Sequence, residues 1–119
     1  MAIRVGYSMN SGKLHWLLQR ISAIILIPLT LWFILKFITI SNYNYNEVLS
    51  FFSLPYNSLL FLIMIIVIIY HGKLGMQTIV DDYVNSLKNR SIIIFFISFL
   101  SYILMLTTLV SILIIQFSL

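Results

Sequence analysis

Three long apolar stretches govern what this chain can become. The first runs from about Trp16 to Ile40, the second from about Ser58 to Val80, and the third from Ser91 to Phe117 without a single charge. Crossing the hydrocarbon of a bilayer takes roughly 20 apolar residues of helix, and each stretch is long enough. A soluble protein could bury one such helix only by covering it with polar neighbours. Here 61% of the 119 residues are hydrophobic and 8% are charged, against about 45–50% and about 25% in soluble domains. The mean hydropathy of +1.07 excludes an ordinary globular enzyme, a disordered tail and a disulfide scaffold. The expectation is an all-α integral membrane protein, residues 1–119 forming one transmembrane domain with spans at about 16–40, 58–83 and 91–117.

The few charges set a direction. Arg4, Lys13 and Arg20 lie at the start of the first span, and Lys73, Lys88 and Arg90 lie around the second connection. The first connection, Ser41 to Asn57, carries Glu47 and no Lys or Arg. Lys36 alone tends toward that side, where its stem can snorkel to the interface. The positive-inside rule then places the N-terminus inside and the C-terminus outside. The net charge of +4 reads as this topology signal rather than as a nucleic-acid surface. With no cysteine the chain has no thiolate ligand for an iron–sulfur cluster or zinc, and compartment cannot be read from redox usage. The first apolar stretch is too long for a signal peptide and lacks a small-residue cleavage site. Pro28 is a candidate kink, Pro55 is expected to precede the second span, and Asn42–Asn46 reads as an outer loop.

Chemistry concentrates in Tyr70 to Val84, YHGKLGMQTIVDDYV. Ionisable residues at membrane depth are costly and usually functional. At 100° per residue Met64, His71, Gly75, Thr78 and Asp82 share one helix face. His71 and Asp82 are separated by about 16 Å of rise, which puts His71 well inside the bilayer and Asp82–Tyr83 near the inner interface. A neutral imidazole at that depth suits an axial haem ligand, a proton relay or a hydrogen bond to a neighbouring helix. Gly75 would let a flat macrocycle approach the backbone, or serve close helix packing. The residues alone leave these readings open. If haem is bound, its two axial ligands approach from opposite faces, so one straight helix cannot supply both. Met64 is then a poor second ligand, His15 lies too far from His71 in depth, and another chain must complete the site.

Asp82 and Tyr83 form a second constellation. A phenol at the interface can donate to the carbonyl of a membrane-borne ligand while the adjacent carboxylate orients it or relays protons. An aromatic-belt tyrosine and a helix-end acid pairing with Lys88 or Arg90 are the plainer readings. The third group opens the first span: Gly12, His15, Trp16, Gln19 and Arg20. There Arg20 calls for an anionic partner such as Asp82, a lipid phosphate or a cofactor carboxylate, unless it is simply an interfacial anchor beside Trp16.

The run His71-Gly72-Lys73-Leu74-Gly75-Met76-Gln77-Thr78-Ile79-Val80-Asp81-Asp82-Tyr83 resembles the H-x-x-x-G-M-Q-x-(I/V)-(I/V)-x-D-Y signature of the succinate dehydrogenase (complex II) hydrophobic membrane anchor family. Gly12-Lys13-Leu14-His15-Trp16-Leu17-Leu18-Gln19-Arg20-Ile21-Ser22-Ala23 is similar to that family's G-x-x-H-W-x-x-Q-R-x-(T/S)-A pattern. The resemblance covers nearly the whole chain, although the connections and third span match only in hydrophobicity.

The resemblance implies a specific machine. A second three-helix anchor, the cytochrome b subunit, would complete a helical bundle of which this chain is half. A flavoprotein and an iron–sulfur subunit would dock on the inner face, and electrons from succinate would reach ubiquinone. A haem b would lie between the anchors with His71 as one axial ligand. Tyr83 would donate to a quinone carbonyl, with Asp82 in its network, and Arg20 and His15 would serve haem propionates or that network. Lys73 has no place in this scheme. The membrane would be the bacterial inner (plasma) membrane or the mitochondrial inner membrane. Rival readings are the anchor of a quinol:fumarate reductase, a packing subunit of another complex without haem, and a proton-coupled transport fragment using His71 and Asp82.

Overall fold

The computed structural model describes the backbone of residues 2–118 and the side chains of residues 12–118. Arg4, counted among the topology charges, has its side chain outside the described residues. Four helices follow in order: α1 (Ala2–Ile40), α2 (Tyr45–Ser53), α3 (Pro55–Tyr83) and α4 (Leu87–Ser118). Among the described residues there is no strand. The three expected spans are Gly12–Ile40, Pro55–Tyr83 and Leu87–Ser118. At 1.5 Å per residue, 29 residues make about 43 Å, longer than a hydrocarbon core of about 30 Å. Each span therefore reaches the interfacial layers at both ends. The chain is a multi-pass integral membrane protein.

The core is thin, as a bundle solvated by lipid allows. Its buried apolar side chains are Met64, Leu74, Val80 and Ile112 among the described residues. Large apolar groups face outward instead, among them Ile24, Ile27 and Leu31 on α1 and Phe95, Leu104 and Ile114 on α4. Lipid tails are as apolar as these side chains, so the helices associate through packing and polar contacts rather than by escaping water. The central helix is α3, against which α1 and α4 both pack. On α4 the hydroxyls of Ser101, Thr107 and Thr108 donate to the carbonyls one turn back, Ile97, Ile103 and Leu104, at 2.7–2.9 Å. No partner is needed to satisfy them.

The helix α1 continues through Pro28, as a single first span requires. Boundaries depart from the sequence reading in two places. Pro55 does not merely precede the second span; it occupies the first turn of α3, where its missing N–H costs nothing. Lys88 and Arg90 fall inside α4, leaving residues 84–86 as the connection. The Arg90 guanidinium reaches back to the Val84 carbonyl and, at 3.1 Å, to that of Asp81. It thus caps the carbonyl end of α3, where the helix dipole favours a cation, instead of pairing with the Asp81 or Asp82 carboxylate.

The first connection, Ser41 to Asn57, contains α2, which begins within the expected outer loop at Tyr45. Asn44 accepts from the Glu47 amide and the Glu47 carboxylate accepts from the Asn44 amide, each at 2.9 Å, a reciprocal capping box. Its last carbonyls are satisfied from the long helices: Phe51 accepts from Asn57 Nδ2 at 3.0 Å, and Phe52 from Ser58 Oγ and from Gln116 Nε2. The rings of Phe52, Phe61, Phe33 and Phe37 continue this contact from α2 across α3 to α1. Asn44→Ala removes the cap and should cost about 1 kcal/mol. Amide exchange across Tyr45–Ser53 should then accelerate about five-fold while the long helices keep their protection.

Candidate functional site

The polar residues of α3 meet those of α1 along one antiparallel seam. His71 Nδ1 lies 2.8 Å from Ser22 Oγ, and His15 Nε2 lies 2.9 Å from Thr78 Oγ1. Both hydroxyls also donate within their own helix, Ser22 to the Gln19 carbonyl at 2.9 Å and Thr78 to the Leu74 carbonyl at 3.1 Å. Between these two rungs Gly75 faces Gln19, whose Nε2 would stand 3.6 Å from a Cβ built there. That spacing is ordinary van der Waals contact, so a methyl would fit and the approach of α1 does not require glycine there.

The pairing follows from the sequence once the helices are antiparallel. His15 and Ser22 are seven residues apart on α1, and His71 and Thr78 are seven apart on α3. Seven residues make about two turns, so each pair lies on one face of its helix. Reversing one helix against the other sets each histidine opposite the other's hydroxyl. Sequence reading meets Ser22 only as the (T/S) position of the entry pattern and gives it no role, because a lone serine in an apolar run carries no signal of its own. The repeated His-x6-Ser/Thr spacing is the signal that identifies it.

An open cleft of about 400 Å³ adjoins the first rung, lined by Trp16, Gln19, Arg20, Ala23 and His71. The guanidinium of Arg20 stacks over the Trp16 ring at 4.9 Å, a cation–π contact that leaves its N–H donors available. Arg20 stands at the level of His71, so Asp82, three turns along α3, is not its partner. Met64 is 3% exposed and is not a lining residue of the cleft. His15 sits two turns, about 10.5 Å of rise, beyond Ser22, too far to meet the same small centre as His71. All lining residues belong to α1 and α3, so the cleft has one wall within this chain.

Asp82 and Tyr83 occupy the last turn of α3. Both are exposed, Tyr83 to 79%. Along the seam the order is His71–Ser22, Gly75–Gln19, Thr78–His15, then Asp82 and Tyr83. The structure therefore gathers His71, Arg20, Trp16 and Gln19 in one place, leaves His15 on a separate rung, and sets Asp82–Tyr83 at the helix end. Among the described residues no three His, Asp or Glu side chains cluster as a cage for a bare metal ion. Among the described lining residues of the cleft, His71 is the one imidazole.

Three membrane-spanning helices carrying a polar cleft open on one side define a class: a small multi-pass membrane subunit. The chain belongs to the succinate dehydrogenase/fumarate reductase transmembrane subunit family, which it matches over residues 4–112. It is 36% identical over 85 residues to the succinate dehydrogenase hydrophobic membrane anchor subunit of Rickettsia prowazekii, covering 71% of this chain and 68% of that one. Identity to the same subunit of Rickettsia bellii is 41% over 88 residues, 72% of this chain and 70% of the other. The succinate dehydrogenase membrane anchor subunit of Reclinomonas americana is 35% identical over 91 residues, 74% and 76% of the two chains.

Proposed function

We propose that this chain is the anchor of a succinate:quinone oxidoreductase, supplying one axial ligand of a haem b and part of the ubiquinone-reduction site. Its companions are a second anchor of cytochrome b type, an iron–sulfur subunit and a flavoprotein. The observation that carries the reading is the cleft that joins His71 to Arg20 in a chain of this family. Its donor set fits a haem. An imidazole can ligate the iron, a guanidinium with free donors can take a propionate, and Ala23 and Trp16 provide apolar contact. Haem b, when bound, supplies a one-electron redox centre.

Asp82 and Tyr83 serve the quinone at the end of α3, where both are exposed. Reduction of a quinone takes two electrons and two protons, and that end carries Lys13, Lys88 and Arg90, the side the positive-inside rule assigns to the inner compartment. The soluble subunits dock there. His15, hydrogen-bonded to Thr78 one turn from Asp82, belongs to the proton network around that pair. Succinate oxidation takes place on the partners.

Purification tests the assembly. The affinity-tagged chain, extracted in mild detergent from the membrane that makes it, should bring down a flavoprotein, an iron–sulfur protein and a second anchor in equal amounts, with succinate-dependent quinone reduction. Recovery with an unrelated membrane complex, or without a flavoprotein, overturns the reading.

A further inference from the structure

Ser22 stands opposite the ring nitrogen of His71 that faces α1, and counting protons there gives it a task. A serine hydroxyl has one proton and two lone pairs. It makes two short contacts, 2.9 Å to the Gln19 carbonyl and 2.8 Å to His71 Nδ1. A carbonyl oxygen can only accept, so the first contact is a hydrogen bond only if Ser22 donates to it. The hydroxyl proton is then spent, and the second contact is a hydrogen bond only if Nδ1–H donates to the serine oxygen. In the opposite arrangement Ser22 donates to Nδ1, and two oxygens face each other at 2.9 Å with no proton between them. Ser22 is only 4% exposed, so water does not relieve that repulsion, and an unmade bond costs about 1–3 kcal/mol at a buried site.

We infer that Ser22 is a positioning residue for His71: it holds the neutral ring as the Nδ1–H tautomer, so that Nε2 carries the lone pair offered to the cleft. The inference rests on the reading of His71 as a haem ligand and adds what makes the ring competent for it. A histidine donating through its other nitrogen has both tautomer and ring orientation fixed, and loss of such a partner typically weakens metal binding about 10–100-fold. Here the acceptor is a neutral hydroxyl, not the carboxylate often found behind metal-bound histidines. It orients the ring without adding charge at membrane depth, where an unpaired carboxylate would be costly. Ser22 closes its hydrogen bonds on Gln19, a lining residue of the same cleft, so one hydroxyl ties the ligand to its wall.

The test is a comparison of Ser22→Thr with Ser22→Val in the intact complex, since the two side chains share a shape and differ in the hydroxyl. Haem per flavin is followed while apomyoglobin competes for it, and the haem midpoint potential is measured by redox titration. Ser22→Thr should retain haem as the wild type does. Ser22→Val should lose it about 10–100-fold faster, most of the affinity change appearing in dissociation, with a shifted potential. Ser22→Ala should follow Ser22→Val, which separates loss of the hydroxyl from crowding by the added methyl. Equal retention and equal potential in Ser22→Thr and Ser22→Val overturn the assignment. The ligand reading is judged separately: a full b-type spectrum in His71→Ala overturns it, whereas haem loss in that variant with no effect of Ser22→Val or Ser22→Ala overturns the role of Ser22 alone.

Discussion

His71→Ala should strip the b-type haem from the assembled complex, lowering the reduced-minus-oxidised signal per flavin at least about ten-fold, while succinate oxidation by a soluble artificial acceptor continues unchanged. Losing even a supporting partner of a ligand costs about 10–100-fold in affinity, and losing the ligand itself costs no less. Folding should survive. The side chain is half-buried on the cleft wall rather than in the core, and its removal leaves Ser22 still bonded to Gln19. His15→Ala is the internal control. It removes the chain's only other histidine and an equivalent interhelical bond, to Thr78. At two turns from the cleft, His15→Ala should keep the spectrum. Equal haem loss in both variants would mean that the seam, not the ligand, had been damaged.

How far the sequence determines these features depends on whether the deciding force is local. The three spans are a matter of length and hydropathy, and both are written in consecutive residues, so the helices fall where the apolar runs lie. The direction of Arg20 is also within reach, because Trp16 and Arg20 are four residues apart and must be neighbours on a helix. The short helix α2 is absent from the sequence reading, although its cap is local too: Asn44-x-x-Glu47 is a capping box, obscured by the polar, tyrosine-rich run around it. Arg90 cannot be placed from spacing. Its choice between the carboxylates of α3 and the carbonyls at that helix's end depends on how tightly residues 84–86 turn.

The seam shows the sharper limit. A stripe of His71, Gly75 and Thr78 on one face of α3 can be read from the 100° helical repeat, and the stripe is where the structure puts it. What it meets cannot, because the antiparallel register of α1 against α3 is a tertiary fact. One register sets His71 beside Ser22 and His15 beside Thr78. A shift by a single turn would move both histidines off their hydroxyls and break both interhelical bonds in lipid. Side-chain hydrogen bonds between membrane helices are worth about 0.6 kcal/mol each on average, so these two rungs favour the register they report.

Tyr83→Phe should slow quinone reduction on the order of 10²-fold, the lower range for losing a positioned proton donor, and leave succinate oxidation by an artificial soluble acceptor intact. The substitution deletes one oxygen and keeps the ring. Tyr83 is 79% exposed at the end of α3, so the packing within this chain is hardly touched and stability should change by no more than about 0.5 kcal/mol. An aromatic-belt residue would tolerate the same change, since phenylalanine also sits at a membrane interface. The two roles therefore part on a single oxygen atom. A donor to the quinone carbonyl matters more as that oxygen gains charge during reduction, so the loss should fall on kcat for quinone more than on KM. Asp82→Asn keeps size and polarity but removes the charge that orients the phenol or passes a proton, and it should slow the same step and alter its pH profile. Residues that act as a unit are not additive, so the double variant should be little worse than Tyr83→Phe alone. Equal loss with quinone and with the artificial acceptor would assign the defect to assembly and remove Tyr83 from the quinone site.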